Sequence, residues 1–403
     1  MNAEVLAVGA ELVAGQIVNT NAADISVALA GVGVAVTRHG TVGDDVDRIA
    51  GALGEALGRA DVVVVCGGLG PTHDDLTREG IAAATGRPLE EREELAATLA
   101  ERFRRMGRAM SPSNLRQAWA PAGAVPIPNA AGTAPGIFLE HEGHLIYALP
   151  GVPGELAAML TGFVLPDLAR RSGGRAALAR TIRTAGIGES DVADALAGIL
   201  GPEDGIYATD GEVRVTLTAS EREGGRLASR EEQVRARLGP VVYGADGDTL
   251  ESVVSGLLRA RGLHLAVAES VTGGLLAARI VDVPGASDIL VAGYVAYSAQ
   301  AKIRDLGVDP EVIVGFGLVS EETARAMAAG ARARAGADVA LSTTGEAGPA
   351  PAEANVGTVC VGLAWDGGEA AWTLRMGGTR AMIRRRACTY ALNALRRWLL
   401  GEL

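Results

Sequence analysis

Apolar and polar residues follow two rhythms along this chain, and the change between them divides it. In the first third, short apolar runs alternate with amphipathic stretches. AEVLAVG (3–9) and DVVVVC (61–66) have the length and β-branched content of buried strands, and each stops at a glycine. Between them, NTNAADISVALAGVG (19–33) predicts an amphipathic helix behind cap-type residues, and VAVTRHGTVG (34–43) predicts a second strand. Asp44 and Asp45 open a further helix that runs through Leu57. Alternating strand and helix predict a doubly wound parallel sheet, whose ligands sit outside the carboxyl ends of its strands. The loops after Gly9 and Cys66 are therefore the first places to look for chemistry.

From Thr181 the grammar changes. TIRTAGI, ESDVADALAGIL, GIYATD, EVRVTLTAS, SREEQVRARLG and VVYG read as strand, helix, strand, strand, helix, strand. Val213, Val215 and Leu217 alternate there with Arg214, Thr216 and Thr218, so the order predicts a small split-βαβ α+β unit. The charged stretch from Glu221 to Arg237 reads as its solvated helix face. Near Asp248 a third segment starts, with helix TLESVVSGLLRARG, strand HLAVAES, helix TGGLLAARIV and strand ILVAGYVAY. Helix SEETARAMAAGARARAG, three strands and a C-terminal helix complete it. The expected fold class is α/β with three domains: 1–168, a connector 169–246, and 247–403.

Composition narrows the chemistry. Of 37 basic side chains only one, Lys302, is a lysine. It lies in Ala-Lys-Ile, so neither a P-loop nor a Ser-x-x-Lys motif exists here. If the chain needs an ammonium that can lose its proton, Lys302 must supply it. A net charge of −11 and an aromatic content of 3% argue against a direct nucleic-acid surface. Cys66, Cys360 and Cys388 are widely spaced and odd in number, as expected of reduced thiols in a cytoplasmic protein. The N-terminus lacks a basic n-region and no apolar run reaches about 18 residues, so neither a signal peptide nor a membrane span is expected.

Two clusters stand out. In CGGLGPTHDDLT (66–77), Gly67, Gly68 and Gly70 let backbone amides approach an anion, with Thr72 in the same loop. Asp74 and Asp75 either cap the helix that follows or hold a hard divalent cation such as magnesium. Glu11, beyond the first strand, adds a carboxylate to the same rim. In the third segment Ser270 sits at a strand-to-helix turn, where unpaired amides can hold an oxyanion. A serine nucleophile needs a base. His264, six residues upstream in the strand, reads as a packing residue, which leaves Lys302, five residues after Tyr297. A lysine serves as a base near neutrality only where burial or neighbours disfavour its charged form.

These motifs carry a resemblance. VGAELVAGQIVNTNA, TVGDD, CGGLGPTHDDLTREGIA, RQAWAPAGA, NAAGTAPGI and LPGVPGEL are similar, in order, to the molybdopterin-binding-like domain of the CinA (competence/damage-inducible protein A) family. The resemblance implies a metal-dependent ADP-ribose pyrophosphatase, with Glu11, Asp74 and Asp75 at the metal and Asn129, Gly132, Thr133 and Pro150-Gly151 lining the site. AESVTGG, GYVAYSAQAK, LVSEETARAMAAGAR, ALSTTGEAGP and NVGTVCVGL resemble the family's carboxy-terminal domain, whose stand-alone relatives are nicotinamide mononucleotide deamidases. By that resemblance Ser270 is the nucleophile, Lys302 the base and Tyr297 a relay, with no cofactor. Thr272 and the Gly273 and Gly274 amides would sit at the oxyanion, Thr344 and Gly345 would cradle phosphate or ribose, and Arg380 would be the phosphate countercharge. Family precedent also implies a homodimer. The chain departs from the family at Ala10, where a hydroxyl or carboxylate is usual, and at Glu346, which puts a carboxylate beside the expected phosphate pocket. APAEAN (350–355) also lacks typical loop elements. A molybdopterin-handling transferase and a competence or DNA-damage scaffold with one site inactive are the alternative readings.

Overall fold

A computed structural model describes residues 1–172, 177–220, 224–350 and 354–403. The first residues of the charged stretch, 221–223, and residues 351–353 of APAEAN lie outside the described residues. The chain forms two compact units, Met1–Ala179 with Ala219–Gly225, and Arg180–Thr218 with Arg226–Leu403.

In the first unit the strands are β1 (Asn2–Val8), β2 (Ala35–Val42), β3 (Val62–Cys66), β4 (Leu89–Glu91), β5 (Trp119–Pro121), β6 (Val125–Ile127), β7 (Gly136–His141) and β8 (His144–Leu149). Six of them form a sheet in the order β2-β1-β3-β8-β7-β6. The pairs β2-β1, β1-β3 and β3-β8 are parallel, as expected, while β7 and β6 join antiparallel. The two-residue turn Glu142-Gly143 between β7 and β8 has positive φ at both positions, the geometry of a tight hairpin, so a parallel crossover is impossible there. The sheet is thus the expected parallel one with two antiparallel strands, β7 and β6, added at one edge.

Alternation within β1 and β3 builds two cores. Ala3, Val5, Val62 and Val64 pack with Ala22, Ile25 and Leu29 of helix Thr20–Ala30. Leu6, Val8, Val63 and Val65 pack with Ile49 and Leu53 of helix Val46–Leu57 on the other face. Each fully buried valine contributes about 1.5–3 kcal/mol, which is why β3 is an unbroken apolar run. Both helices start where the sequence places caps: Asn19 accepts from the Ala22 amide and Asp45 from the Arg48 amide.

The second unit begins with β9 (Ala177–Ala185), β10 (Gly205–Thr209), β11 (Glu212–Ser220) and β12 (Val242–Ala245), in sheet order β10-β11-β9-β12. β11 lies between β9 and β10, which helix Glu189–Ala195 connects, so the split-βαβ order is as read. Val213, Val215 and Leu217 are buried as the alternation required. The following sheet runs β14 (Leu290–Val295), β13 (Leu265–Glu269), β15 (Val339–Gly345), β16 (Thr358–Trp365) and β17 (Gly368–Arg375). β13 pairs parallel with β14 and β15, and the last two strands join antiparallel. Two short helices, Ala299–Leu306 and Pro310–Phe316, follow β14. His264 is corrected: it is exposed and pairs with Asp338 at 3.1 Å rather than packing in the core. All three cysteines are buried free thiols. No helix among the described residues is long and apolar enough to cross a membrane.

Candidate functional site

Two adjacent parallel strands end side by side in the second unit. Ser270 directly follows β13 and its amide donates to the Thr343 carbonyl of β15 at 2.8 Å, while the Ala296 amide after β14 donates to the Glu269 carbonyl at 2.9 Å. Ser298 then caps helix Ala299–Leu306 by accepting from the Ala301 amide, and Lys302 stands in its first turn. This route turns the lysine inward. Lys302 is 1% exposed, and its Nζ donates to Ser270 Oγ at 2.9 Å and to the Ala296 carbonyl at 2.9 Å. Burial disfavours the charged ammonium form.

Glu269, at the end of β13, is 1% exposed and accepts from the amides of Gly274, Leu276 and Ala277, each at 2.9 Å. It thereby caps helix Leu275–Val281 from within. The Gly274 amide is engaged and does not fill its expected oxyanion role, whereas the amides of Val271, Thr272 and Gly273 donate to no described residue. Gly274 itself must be glycine, because its φ is +94°. Thr272 is fully buried, backbone included, and its hydroxyl bonds to Thr343 Oγ1 at 2.7 Å, so it does not fill its expected oxyanion role.

Tyr297 is 61% exposed, and its hydroxyl accepts from Arg380 Nη2 at 3.0 Å. Arg380 also donates to the Gly348 carbonyl at 2.6 Å, linking the tyrosine to the loop after β15. Arg384, one turn further along helix Arg380–Leu399, donates to the Thr272 carbonyl at 2.7 Å and braces the serine turn. It was not singled out in the sequence, where one arginine among 36 carries no signal. The expected phosphate cradle is corrected. Thr344 is buried and its hydroxyl donates to the Leu318 carbonyl at 2.7 Å, and Gly345 is packed against β16, where a Cβ would meet the Thr358 carbonyl at 2.8 Å. Glu346 turns back on its own loop and accepts from the Gly348 amide at 3.2 Å.

The first unit holds a cavity of about 550 Å³ at the carboxyl ends of β1 and β3. Glu11, Gly67, Gly68, Gly70, Thr72, Asp74, Asp75 and Thr133 line it, as do Pro150 and Gly151. Gly67 has φ +106°, and a Cβ there would meet the Val8 carbonyl at 2.3 Å, so the loop can cross β1 only with glycine. Behind the loop Arg78 is 2% exposed and donates to the carbonyls of Leu69 and Gly70. Burial pushes its guanidinium down to about 10, which leaves it a cation at neutral pH beneath an anion-sized loop.

Asp75 takes neither of the roles expected of it. Its carboxylate accepts from the Gly70 amide at 2.7 Å, the Thr72 amide at 2.8 Å and the Thr72 hydroxyl, closing the loop on itself, and helix Thr77–Thr85 starts without a side-chain cap. Among the described residues no three His, Cys, Asp or Glu side chains converge tightly enough to hold a metal ion. Glu11 and Asp74 remain on the rim, which fits a magnesium-type ion shared between one or two carboxylates and substrate phosphates, not a protein cage. Asn129 and Gly132 stand outside the cavity wall. Asn129 donates to the Ala134 carbonyl and to Glu155 and accepts from the Ala131 and Gly132 amides, and it lines a separate cavity of about 230 Å³. Asp44, which accepts from the Ala10 amide at 2.7 Å, and Glu155 line the main cavity and were not read as site residues.

Comparison with known proteins bears on the whole chain. Residues 4–170 match the family described as probable molybdopterin binding domain, 179–244 the damage-inducible protein CinA KH domain, and 247–399 the CinA C-terminal domain. A CinA-like protein of Frankia casuarinae is 49% identical over 419 residues, covering 100% of this chain and 97% of that one. A putative competence-damage inducible protein of Symbiobacterium thermophilum is 46% identical, covering 100% of both. A solved structure of the protein CinA, of unknown function, from Thermoplasma acidophilum is 41% identical over 41% of this chain and 97% of that one, with a TM-score of 0.39.

Proposed function

Because this chain belongs to the CinA family and carries its molybdopterin-binding-like domain, we propose that it is a pyridine-nucleotide salvage hydrolase with two sites. The C-terminal site hydrolyses the carboxamide of nicotinamide mononucleotide to nicotinate mononucleotide and ammonia. The observation that carries this reading is the 2.9 Å contact between the buried Lys302 Nζ and Ser270 Oγ.

Neutral Lys302 takes the Ser270 proton as Oγ attacks the amide carbon, and the amides of Val271 and Gly273 receive the oxyanion. As the tetrahedral intermediate collapses, the C–N bond breaks and the lysine ammonium gives its proton to departing ammonia. Water then attacks the Ser270 ester and loses a proton to Lys302; as the C–Oγ bond breaks, the lysine ammonium gives that proton to Oγ, which restores Ser270 and releases the carboxylic acid. Arg380 and Tyr297, exposed at the rim, contact the nucleotide's phosphate and ribose.

The N-terminal cavity takes ADP-ribose and cleaves its diphosphate. Glu11 and Asp74 would hold a divalent cation, which when bound neutralises phosphate charge. Gly67, Gly68 and Gly70 let the diphosphate approach the backbone, Asp75 keeps that loop in shape, and Arg78 supplies a fixed positive charge behind it.

The test is ammonia release from nicotinamide mononucleotide by the full chain and by Ser270→Ala. Loss of release in Ser270→Ala alone supports the reading. Full activity in Ser270→Ala removes the nucleophile, and no release by the wild type favours the scaffold.

A further inference from the structure

A bare carboxylate repels phosphate, so one that stands in the wall of a cavity for phosphates has to meet a cation or a hydrogen-bond donor. Among the described residues five line the N-terminal cavity. Glu11 and Asp74 are on its rim, Asp75 closes the glycine loop, and Asp44 accepts from the Ala10 amide. Glu155 does none of these. No three acidic, histidine or cysteine side chains converge on one ion among the described residues, so Glu155 is not a third ligand beside Glu11 and Asp74.

The Glu155 side chain is held in place all the same. It belongs to the first turn of helix Pro153–Met159, just after Gly151, where a Cβ would come within 3.5 Å of Gly67 in the glycine loop. Its Oε2 accepts from Asn129 Nδ2 at 2.6 Å, and Asn129 is itself fixed by bonds to the Ala134 carbonyl and the Ala131 and Gly132 amides. The turn folds so closely over the carboxylate that a Cβ at Gly132 would overlap it. Oε1 bonds to no described residue and is not one of the buried atoms without a partner, so it is an accessible acceptor on a residue of the cavity wall.

Beyond this carboxylate the lining changes. Asn129 lies in the wall of the smaller cavity of about 230 Å³, and Thr133 lines both cavities. Leu95, Leu99, Pro126 and Pro135 make the smaller one largely apolar. Glycine loop, carboxylate and apolar pocket thus follow one another in the order of phosphate, sugar and base in a nucleotide.

We propose that Glu155 determines the specificity of the N-terminal site, accepting through Oε1 from the ribose hydroxyls of a nucleotide whose phosphate lies on the glycine loop. The proposal deepens the reading of this cavity as an ADP-ribose site and rests on it. Carboxylates pair well with ribose hydroxyls. A ligand without them, such as inorganic pyrophosphate, meets Glu155 only as a repelling charge.

The experiment is calorimetric titration of the full chain and its Glu155→Gln variant, with magnesium present, using AMP, 2′,3′-dideoxy-AMP and pyrophosphate. Thermal melting and ADP-ribose cleavage are measured beside it. The wild type should bind AMP about tenfold or more tightly than the dideoxy compound. In Glu155→Gln that preference should shrink to within about twofold, and pyrophosphate should bind no more weakly than to the wild type. The melting temperature should change little, because the glutamine carbonyl still accepts from Asn129. A preference that survives in Glu155→Gln, or equal weakening of AMP and pyrophosphate, overturns the proposal. Equal binding of AMP and its dideoxy analogue by a wild type that cleaves ADP-ribose also overturns it and leaves the pyrophosphatase reading in place. If the preference depends on Glu155 but ADP-ribose is not cleaved, that reading fails and the role of Glu155 stands. If the wild type binds pyrophosphate and no nucleotide, both fail.

Discussion

Replacing Lys302 by methionine tests the catalytic argument most directly. Methionine is of similar length, unbranched and apolar, so it fills a site that is 1% exposed while removing the amine that contacts Ser270 Oγ. General-base catalysis contributes about 10²–10⁴-fold. At 1.36 kcal/mol per tenfold this corresponds to roughly 3–5 kcal/mol of barrier. The cost to folding should be much smaller. The Ala296 carbonyl and the Ser270 hydroxyl each lose one donor, about 1 kcal/mol apiece, and removal of a buried ammonium offsets part of that. The expected outcome is a fall in kcat of at least about 10²-fold in steady-state ammonia release, with KM and melting temperature little changed. Lys302→Arg should be no better, because guanidinium stays protonated. A methionine variant that keeps more than about a tenth of wild-type kcat would falsify the assignment of Lys302 as the base.

Glu269→Ala should lower stability by roughly 2–4 kcal/mol and reduce kcat, because three amides, that of Leu276 buried, lose their acceptor and the serine turn loosens; unfolding in urea beside kcat measures both, and an unchanged protein would remove Glu269 from the design of the turn. In the first unit, Asp74→Asn should abolish metal-stimulated ADP-ribose cleavage without moving the melting temperature, whereas Asp75→Asn should lower the melting temperature by releasing the loop. Equal effects of the two on both readouts would reject their division of labour. Arg380→Ala should raise KM for nicotinamide mononucleotide by about tenfold at nearly constant kcat and stability, since the side chain is exposed; an unaltered KM would take Arg380 away from the substrate. Burial raises the Cys66 thiol to about 11 and the Cys388 thiol to about 12, from an unfolded value near 9.0. The fold favours the protonated thiols, so their contribution is whole below pH 9.0 and is lost as pH rises through about 11 and 12. Urea unfolding at pH 8 and above should show this loss, and a Cys66→Ala, Cys388→Ala double variant with the same alkaline decline would exclude the thiols as its cause.

The strands and long helices were legible because burial on one or both faces imposes a period: the alternation of Val213, Val215 and Leu217 is carried straight into β11. The antiparallel edge of the first sheet was missed, because it follows from the two-residue Glu142-Gly143 turn and not from apolar periodicity. Lys302 could be picked out since it breaks an otherwise uniform use of arginine, and the structure places it against Ser270. Asp75 could not be sorted from Asp74 in the same way. Two neighbouring carboxylates look alike in a sequence, and only the direction of each side chain separates the one that closes its loop from the one on the rim. Thr344 shows the same limit. Its motif fixes where the hydroxyl is in the chain, while the Leu318 carbonyl, 26 positions away, decides what it bonds to.

The enclosure of Lys302 also determines what the outside of this protein can react with. Of its Lys and Arg side chains every other one is a guanidinium, so the sole ε-amine of the sequence is hidden. Acylating reagents, amine-directed crosslinkers and enzymes that acetylate or ubiquitinate lysine find no target on the folded surface. The one ε-amine of this sequence is thus shielded by the fold, held between Ser270 and the Ala296 carbonyl.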